Sequence, residues 1–315
     1  MVALLNRARM TTATTGTGTV TLGTAVTGYA TFAEAGAVNA TKYAYCIEDG
    51  NDFEFGLGTY TASGTTFSRD TVTISKISGT AGTSKINLTG TAQIFITPRA
   101  QDLAAPTKQI FTSSGTWTKP NGCSFIKVTC IGGGGGGAGS ANASASQVAY
   151  GTSGGAGSVS MSWIDATALT SETVTIGALG SKGAAGANNG TAGGQSSFGS
   201  YCVSGGGSGG VTAASGTSVV QSNGASGGTA SAGDVRFSGQ DGGPFIRLSG
   251  TSAMMLCNGG NGNFGAGGAP PAFNANGSAA SGYGCGGSGC ASSNAGGSFA
   301  GGDGAKGLVI VEEFY

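Results

Sequence analysis

Six consecutive glycines, Gly132 to Gly137, follow directly on an apolar run in the stretch FIKVTCIGGGGGGAGS. Glycine loses more backbone freedom on folding than any other residue. Six in a row at the end of a strand therefore leave two outcomes. Either the chain stops being structured there, or it enters a structure that only glycine can make.

The rest of the sequence bears on that choice. Glycine makes up 65 of 315 residues, about three times its usual share. Several tracts place it at every third position: Gly151, Gly154, Gly157; Gly180, Gly183, Gly186; Gly259, Gly262, Gly265, Gly268; Gly301, Gly304, Gly307. Period three is the repeat of the polyproline-II helix. Collagen is excluded, because its register is unbroken and rich in proline, whereas these tracts are interrupted and the chain has 6 prolines. Two readings stand. Short extended helices can pack side by side with glycine at the contacts, hydrogen-bonding laterally through the backbone. The same tracts can also be flexible, turn-rich loops. Tracts this long in a chain with only 9% charged residues favour the packed, ordered reading.

Charge narrows the function classes. Lys and Arg number 14, Asp and Glu 14, and the net charge is zero. A chain this weakly charged presents no basic face for nucleic acid. Disorder of the highly charged kind is excluded as well. The N-terminal run Val2 to Leu5 is short and precedes the arginines, unlike a signal peptide. No stretch reaches the roughly 18 apolar residues of a membrane span. The expectation is a chain made in a cytoplasm, with no membrane insertion.

Composition divides the chain. Of the glycines, 53 lie beyond residue 108, while 15 of the 28 charges lie before residue 109. The segment Thr97 to Gln109, with two prolines, reads as a linker. We expect a β-rich domain over 1–104, a linker over 105–110 and a glycine-rich domain over 111–315. In the first, KYAYCIEDGNDFEFGLGTY predicts a hairpin around Asp49-Gly50-Asn51. Tyr43, Tyr45 and Ile47 then share one face, and Lys42, Ala44, Cys46 and Glu48 the other. GTVTLGTAV, DTVTISKI and AQIFITP predict further strands, and TFAEAGA a short helix. In the second, SFIKVTCI, SVSMSWIDA, ETVTIGAL, SSFGSYCV and FIRLSGTSAMML read as strands. GLVIVEEFY is apolar on both faces and predicts a central strand. The fold class is all-β: a small N-terminal β domain and a glycine-rich, β-sandwich-like C-terminal domain with polyglycine-II-type loop packing.

Little chemistry is available. There is no His, so no Ser-His-Asp or Cys-His pair exists. The GxGxxG matches follow from composition and precede no helix with a downstream acid. Cys285 and Cys290 have a spacing that suits a zinc ligand pair, but no second close pair completes a site. The second half has seven acids: Asp165, Glu172, Asp234, Asp241, Asp303, Glu312 and Glu313. Glu312 and Glu313 are adjacent on a strand and point to opposite faces; solvated surface charge is the expectation for them rather than a catalytic pair. No catalytic, cofactor or metal residue is assigned, and the chain reads as no enzyme.

FTSSGTWTKP…GCSFIKVTCIGGGGGG, SSFGSYCVSGGG, GNFGAGGAP, SGYGCGGSG and GDGAKGLVIVEEFY together resemble the glycine-rich C-terminal domain of tailed-bacteriophage tail fibres and related virion appendages. The likeness runs from Phe111 to Tyr315. The first half resembles a small β domain of phage structural proteins. The resemblance implies a non-enzymatic virion protein in a short fibre or spike, commonly trimeric, attached through its N-terminal half to other virion proteins. Its exposed half would contact a host-surface polysaccharide or protein. Capsid decoration or a neck and collar component is the alternative, and a polysaccharide-cleaving spike a remoter one. Loop residues available for contact are Phe264, Pro270, Pro271, Phe273, Tyr283 and Phe299, each of which could equally fill gaps between loops. The cysteines depart from the family's pattern. On a particle outside the cell, where disulfides persist, Cys285–Cys290 would pair locally and Cys46 or Cys123 would link chains; seven free thiols are the other outcome.

Overall fold

Asp49 and Asp52 face each other across a two-residue turn that joins the strands Thr41–Asp49 and Asp52–Thr61. Gly50 occupies the left-handed region there, with φ at 64°, which the tight turn requires. The hairpin is the centre of an eight-stranded sheet in the first of two compact units, Met1–Ala105 and Pro106–Phe314. The computed structural model describes residues 3–100 and 105–315; of the expected linker region, 101–104 lie outside the described residues. Arg9–Thr11, Gln93–Ile96, the hairpin, Thr66–Phe67 and Val20–Thr21 follow one another across the sheet. Thr71–Ile77 and Thr80–Gly82 extend it from Asp52–Thr61.

Alternation on the hairpin buries Tyr43, Tyr45 and Ile47, with Met10, Phe32, Phe67 and Ile94, in one hydrophobic core. Tyr45 and Phe32 meet Phe67 edge-on at 5.3 and 5.7 Å. The core also encloses an ion pair between Arg69 and Glu54, both side chains fully buried. Burying charges is tolerated where every polar atom is bonded, and here that condition is met. Glu54 also accepts from the Tyr45 hydroxyl at 2.7 Å and the Ile86 N–H at 2.8 Å, and Arg69 donates to the Ile86 carbonyl at 2.6 Å.

Two expectations for this unit need correction. TFAEAGA makes no helix: Thr31 and Glu34 exchange capping bonds at 2.8 to 3.1 Å, but Gly36, with φ at 87°, ends the chain's turn at once. GTVTLGTAV contributes only the two-residue strand Val20–Thr21.

In the second unit, two five-stranded antiparallel sheets face each other. One runs Thr107–Phe111, Leu308–Phe314, Phe125–Ile131, Val159–Asp165, Val235–Phe237. The other runs Gly115–Thr118, Ser171–Thr175, Ser196–Phe198, Cys202–Ser204, Ala230–Ala232. Leu308–Phe314 is paired along both edges, as its apolar sequence predicts. Ile126, Val128 and Cys130 are fully buried between the sheets, and Trp117 meets Phe198 edge-on at 5.6 Å. SSFGSYCV and FIRLSGTSAMML are each a hairpin rather than one strand, turning at Gly199 and at Ser249–Ser252. Among the described residues there is no α-helix; the fold is all-β.

Candidate functional site

The strand Phe125–Ile131 runs straight into the six glycines, which stay extended and exchange hydrogen bonds in three directions. Gly133, Gly136 and Gly139 donate to the carbonyls of Gly194, Thr191 and Asn188 at 2.9, 3.0 and 2.9 Å. Gly134, Gly137 and Ser140 donate to Ala305, Gly302 and Phe299 at 2.8, 2.9 and 2.9 Å. Gly132, Gly135 and Ala138 donate to Ser158, Gly155 and Thr152 at 3.0, 2.9 and 2.9 Å. Each third residue returns to the same neighbour, which is the symmetry of a three-residue helical turn. The carbonyls serve three more segments. Gly134, Gly137 and Ser140 accept from Gly180, Gly183 and Gly186, Gly133 and Gly136 from Gly207 and Gly210, and Gly135 from Gly287. The glycine run is thus the central helix of a bundle, with six backbone segments around it.

This packing explains the residue choice. A Cβ on any of Gly132–Gly137 would lie far inside the 3.0 Å that real Cβ atoms keep from backbone, against Gly205, Ala178, Cys285, Ser208, Ser181 and Ser288 in turn. None of the six has a positive φ, so close approach and not backbone conformation demands glycine. The period-three tracts follow the same rule: Gly301, Gly304 and Gly307 donate to Gly183, Gly180 and Gly177, each at 2.9 Å. The tract Gly259 to Gly268 differs. It folds back on itself, with Gly262 bridged to Gly265 and Gly259 donating to Gly268 at 2.9 Å.

All seven cysteines are free thiols and all are buried. Cys285 and Cys290 are not brought together. Four residues of extended chain lie between them, five steps of about 3 Å or roughly 15 Å, where a disulfide needs less than about 7 Å between Cα atoms. Cys285 Sγ accepts from Gly262 N–H at 3.2 Å, while Cys290 Sγ donates to the Ala138 carbonyl at 3.5 Å. Cys46, assigned to a polar face, lies between Phe55 and Phe95 on adjacent strands and is 7% exposed; burial pushes its thiol up to about 12. Cys123 is 2% exposed, with its thiol raised by burial. Neither reaches the surface as a chain-linking thiol would. The pair that does meet is Cys130 and Cys202, from opposite sheets. Cys130 Sγ donates to the Cys202 carbonyl at 3.4 Å, and Cys202 Sγ bonds with Ser160 Oγ at 3.1 Å; the closeness of the two side chains lowers the Cys202 thiol and raises that of Cys130. That contact required the pairing of the two sheets, so spacing carried no signal of it.

The seven acids of this unit are engaged in the fold. Glu313 is 2% exposed, and its carboxylate accepts from Trp117 Nε1 at 2.8 Å, Gln109 Nε2 at 2.6 Å and Thr107 Oγ1 at 2.5 Å. It is therefore no solvated surface charge. Glu312, on the other face, pairs with Lys127 at 3.0 Å, and Asp303 with Lys182 at 3.6 Å. Asp165, Glu172, Asp234 and Asp241 each accept a backbone N–H at 2.8 to 2.9 Å.

Of the six loop residues singled out for contact, the structure separates those that pack from those that do not. Phe273 packs against the small core of Val148, Tyr150, Phe245, Cys257 and Ala291. Phe299 is bridged to Ser140. Pro270 is exposed and Pro271 half-buried. Phe264 is 50% exposed and forms a bridge with Tyr283, and the two line a cleft of about 350 Å³ together with Lys306. Two surfaces escaped the sequence reading. The sheet of Val220–Ser222, Phe245–Arg247 and Ala253–Met255 turns Met254 outward, and Val219, Leu248 and Leu256 are exposed around it; the hairpin turn hidden in FIRLSGTSAMML was its only signal. A second cleft, about 600 Å³, is lined by Lys119 to Ser124 and Thr167 to Thr170.

A family model described as a glycine-rich domain matches residues 110–313, nearly the whole second unit. No curated protein matches the chain.

Proposed function

Starting from the chain's membership of this glycine-rich domain family, we propose that it is a non-enzymatic structural protein of a bacteriophage virion. It forms a short fibre or spike, with residues 1–104 attaching it to other virion proteins and 111–315 exposed, in a trimer of identical chains. The observation that carries the proposal is the bundle around Gly132–Gly137. A central helix bonded on all sides by backbone holds its shape without depending on side chains. Side chains on the outer segments and loops are then free to serve contact with a host surface. The resemblance of Phe111 to Tyr315 to phage fibre domains supports the virion assignment. The engagement of the seven acids within the fold supports a structural role over polysaccharide cleavage. With all seven thiols buried, the particle would be held together by non-covalent contacts rather than inter-chain disulfides.

The test is placement in the particle. Antibody raised against residues 111–315 should label an external appendage of intact virions and slow their adsorption to host cells. Absence of the chain from purified virions overturns the proposal.

A further inference from the structure

The cleft beside Phe264 and Tyr283 gathers groups whose bonding capacity the fold uses only in part. Its base is rigid: Gly265 approaches Gly282 so closely that neither could carry a Cβ. Tyr283 packs against Ile131, Val159 and Leu308, where the bundle meets the sheet. Phe264 stands beside it with half its surface in solvent. Ser281 Oγ donates to the Ala266 carbonyl at 3.2 Å, which leaves its lone pairs open to a ligand donor. Lys306 Nζ donates to the Thr112 carbonyl at 2.8 Å. That bond fixes the ammonium in place and leaves two of its three protons available. Among the described residues no carboxylate pairs with Lys306, while Lys127 and Lys182 have Glu312 and Asp303.

An exposed aromatic ring, a held ammonium and a hydroxyl around a small, pre-formed hollow select a ligand class. The volume, about 350 Å³, is at the lower end of small-molecule sites. A wholly apolar ligand would cover the ammonium without pairing it, at a cost in desolvation. A nucleic acid needs several phosphate contacts, and a single lysine supplies one. A sugar ring has an apolar C–H face for the aromatic ring and hydroxyls for Ser281, and a carboxylate on that sugar pairs the ammonium. We propose that this cleft binds a saccharide bearing a carboxylate, its C–H face on Phe264 and its carboxylate on Lys306. The inference deepens the host-surface reading above and rests on it for the source of the saccharide.

The test titrates the full chain calorimetrically with trigalacturonate, sialyllactose and a glucuronate disaccharide, and with maltotriose as the neutral control. At least one acidic saccharide should bind at millimolar or better affinity, with maltotriose ~10-fold weaker or undetected. Raising salt from ~50 to ~500 mM should weaken the acidic ligand, since screening reaches the exposed ammonium. Phe264→Ala and Lys306→Gln should each lower affinity ~10-fold while melting like the parent chain, because neither side chain is buried. Tyr283→Phe, which keeps the packed ring, should lower it less. Binding by none of the acidic saccharides, equal binding of maltotriose, or variants that bind unchanged would overturn the assignment. Failure here by a chain present in virions removes only the cleft proposal. Saccharide binding by a chain absent from virions removes only the virion reading.

Discussion

Gly137 lies against Ser288 with no room for a methyl group between them: a Cβ on Gly137 would overlap the Ser288 carbonyl oxygen. The neighbour is backbone, held by its own bonds in the bundle, so it cannot turn aside as a side chain could. Gly137→Ala should therefore destabilise the second unit by about 3 kcal/mol or more, the upper range for overpacking a close-packed interior. Gly297→Ala is the control. A Cβ there meets nothing within 4 Å and its φ is not positive, so the change should be neutral or stabilise by up to ~1 kcal/mol. Denaturant melts of the two variants check the difference.

In the first unit the Arg69–Glu54 pair sets a second test. Arg69→Met leaves a buried carboxylate with its cation gone and should cost about 3–5 kcal/mol, whereas replacing both partners with apolar residues should cost far less. A double-mutant cycle on urea unfolding measures this.

Glu313 offers a spectroscopic readout. Removing its carboxylate by Glu313→Ala leaves the buried Trp117 indole N–H without its acceptor, and an unsatisfied buried donor costs about 1–3 kcal/mol. Glu313→Gln keeps an acceptor and should cost less. Tryptophan emission should shift to the red in the Ala variant as water enters.

The thiols predict a pH dependence. Cys46 and Cys257 both have folded values pushed up to about 12 by burial, from the ordinary thiol value of 9.0. Between those values the unfolded chain has lost the proton that the folded chain retains. Stability is then complete below pH 9 and falls as pH rises from 9 towards 12. Melting at pH 8, 10 and 11 follows the loss, and Cys46→Ala should reduce it for the first unit, where burial raises the Tyr45 hydroxyl as well. Native protein at pH 8 should resist alkylation by iodoacetamide at Cys46, Cys123, Cys285 and Cys290, and react there once unfolded.

Local pattern was enough to read the Tyr43, Tyr45, Ile47 face, the turn at Gly50 and the central place of Leu308–Phe314, because each depends on alternation or turn chemistry within one segment. It failed where partners decide. Cys46 alternates onto a face that looks polar, but Phe55 and Phe95, distant in sequence or on the far side of a turn, cover it. Glu313 looks solvated until Trp117, Gln109 and Thr107 arrive from two other strands. Period three in the glycine tracts signalled the helix type. Which tract bonds to which, and that Gly259 to Gly268 doubles back, depends on contacts that no spacing encodes. Lys306 was passed over in the same way, because only the fold sets it beside Phe264 and Tyr283.

The amides of Gly132 to Gly137 are the most direct readout of the bundle. Hydrogen exchange followed by mass spectrometry on peptides spanning Phe125 to Ser140 measures them. Each of these six amides is bonded to a neighbouring segment, so the glycine run should be protected to the same degree as the strand Phe125–Ile131. Exchange of the six glycines at the rate of an unstructured peptide, beside a protected strand, would contradict the bundle.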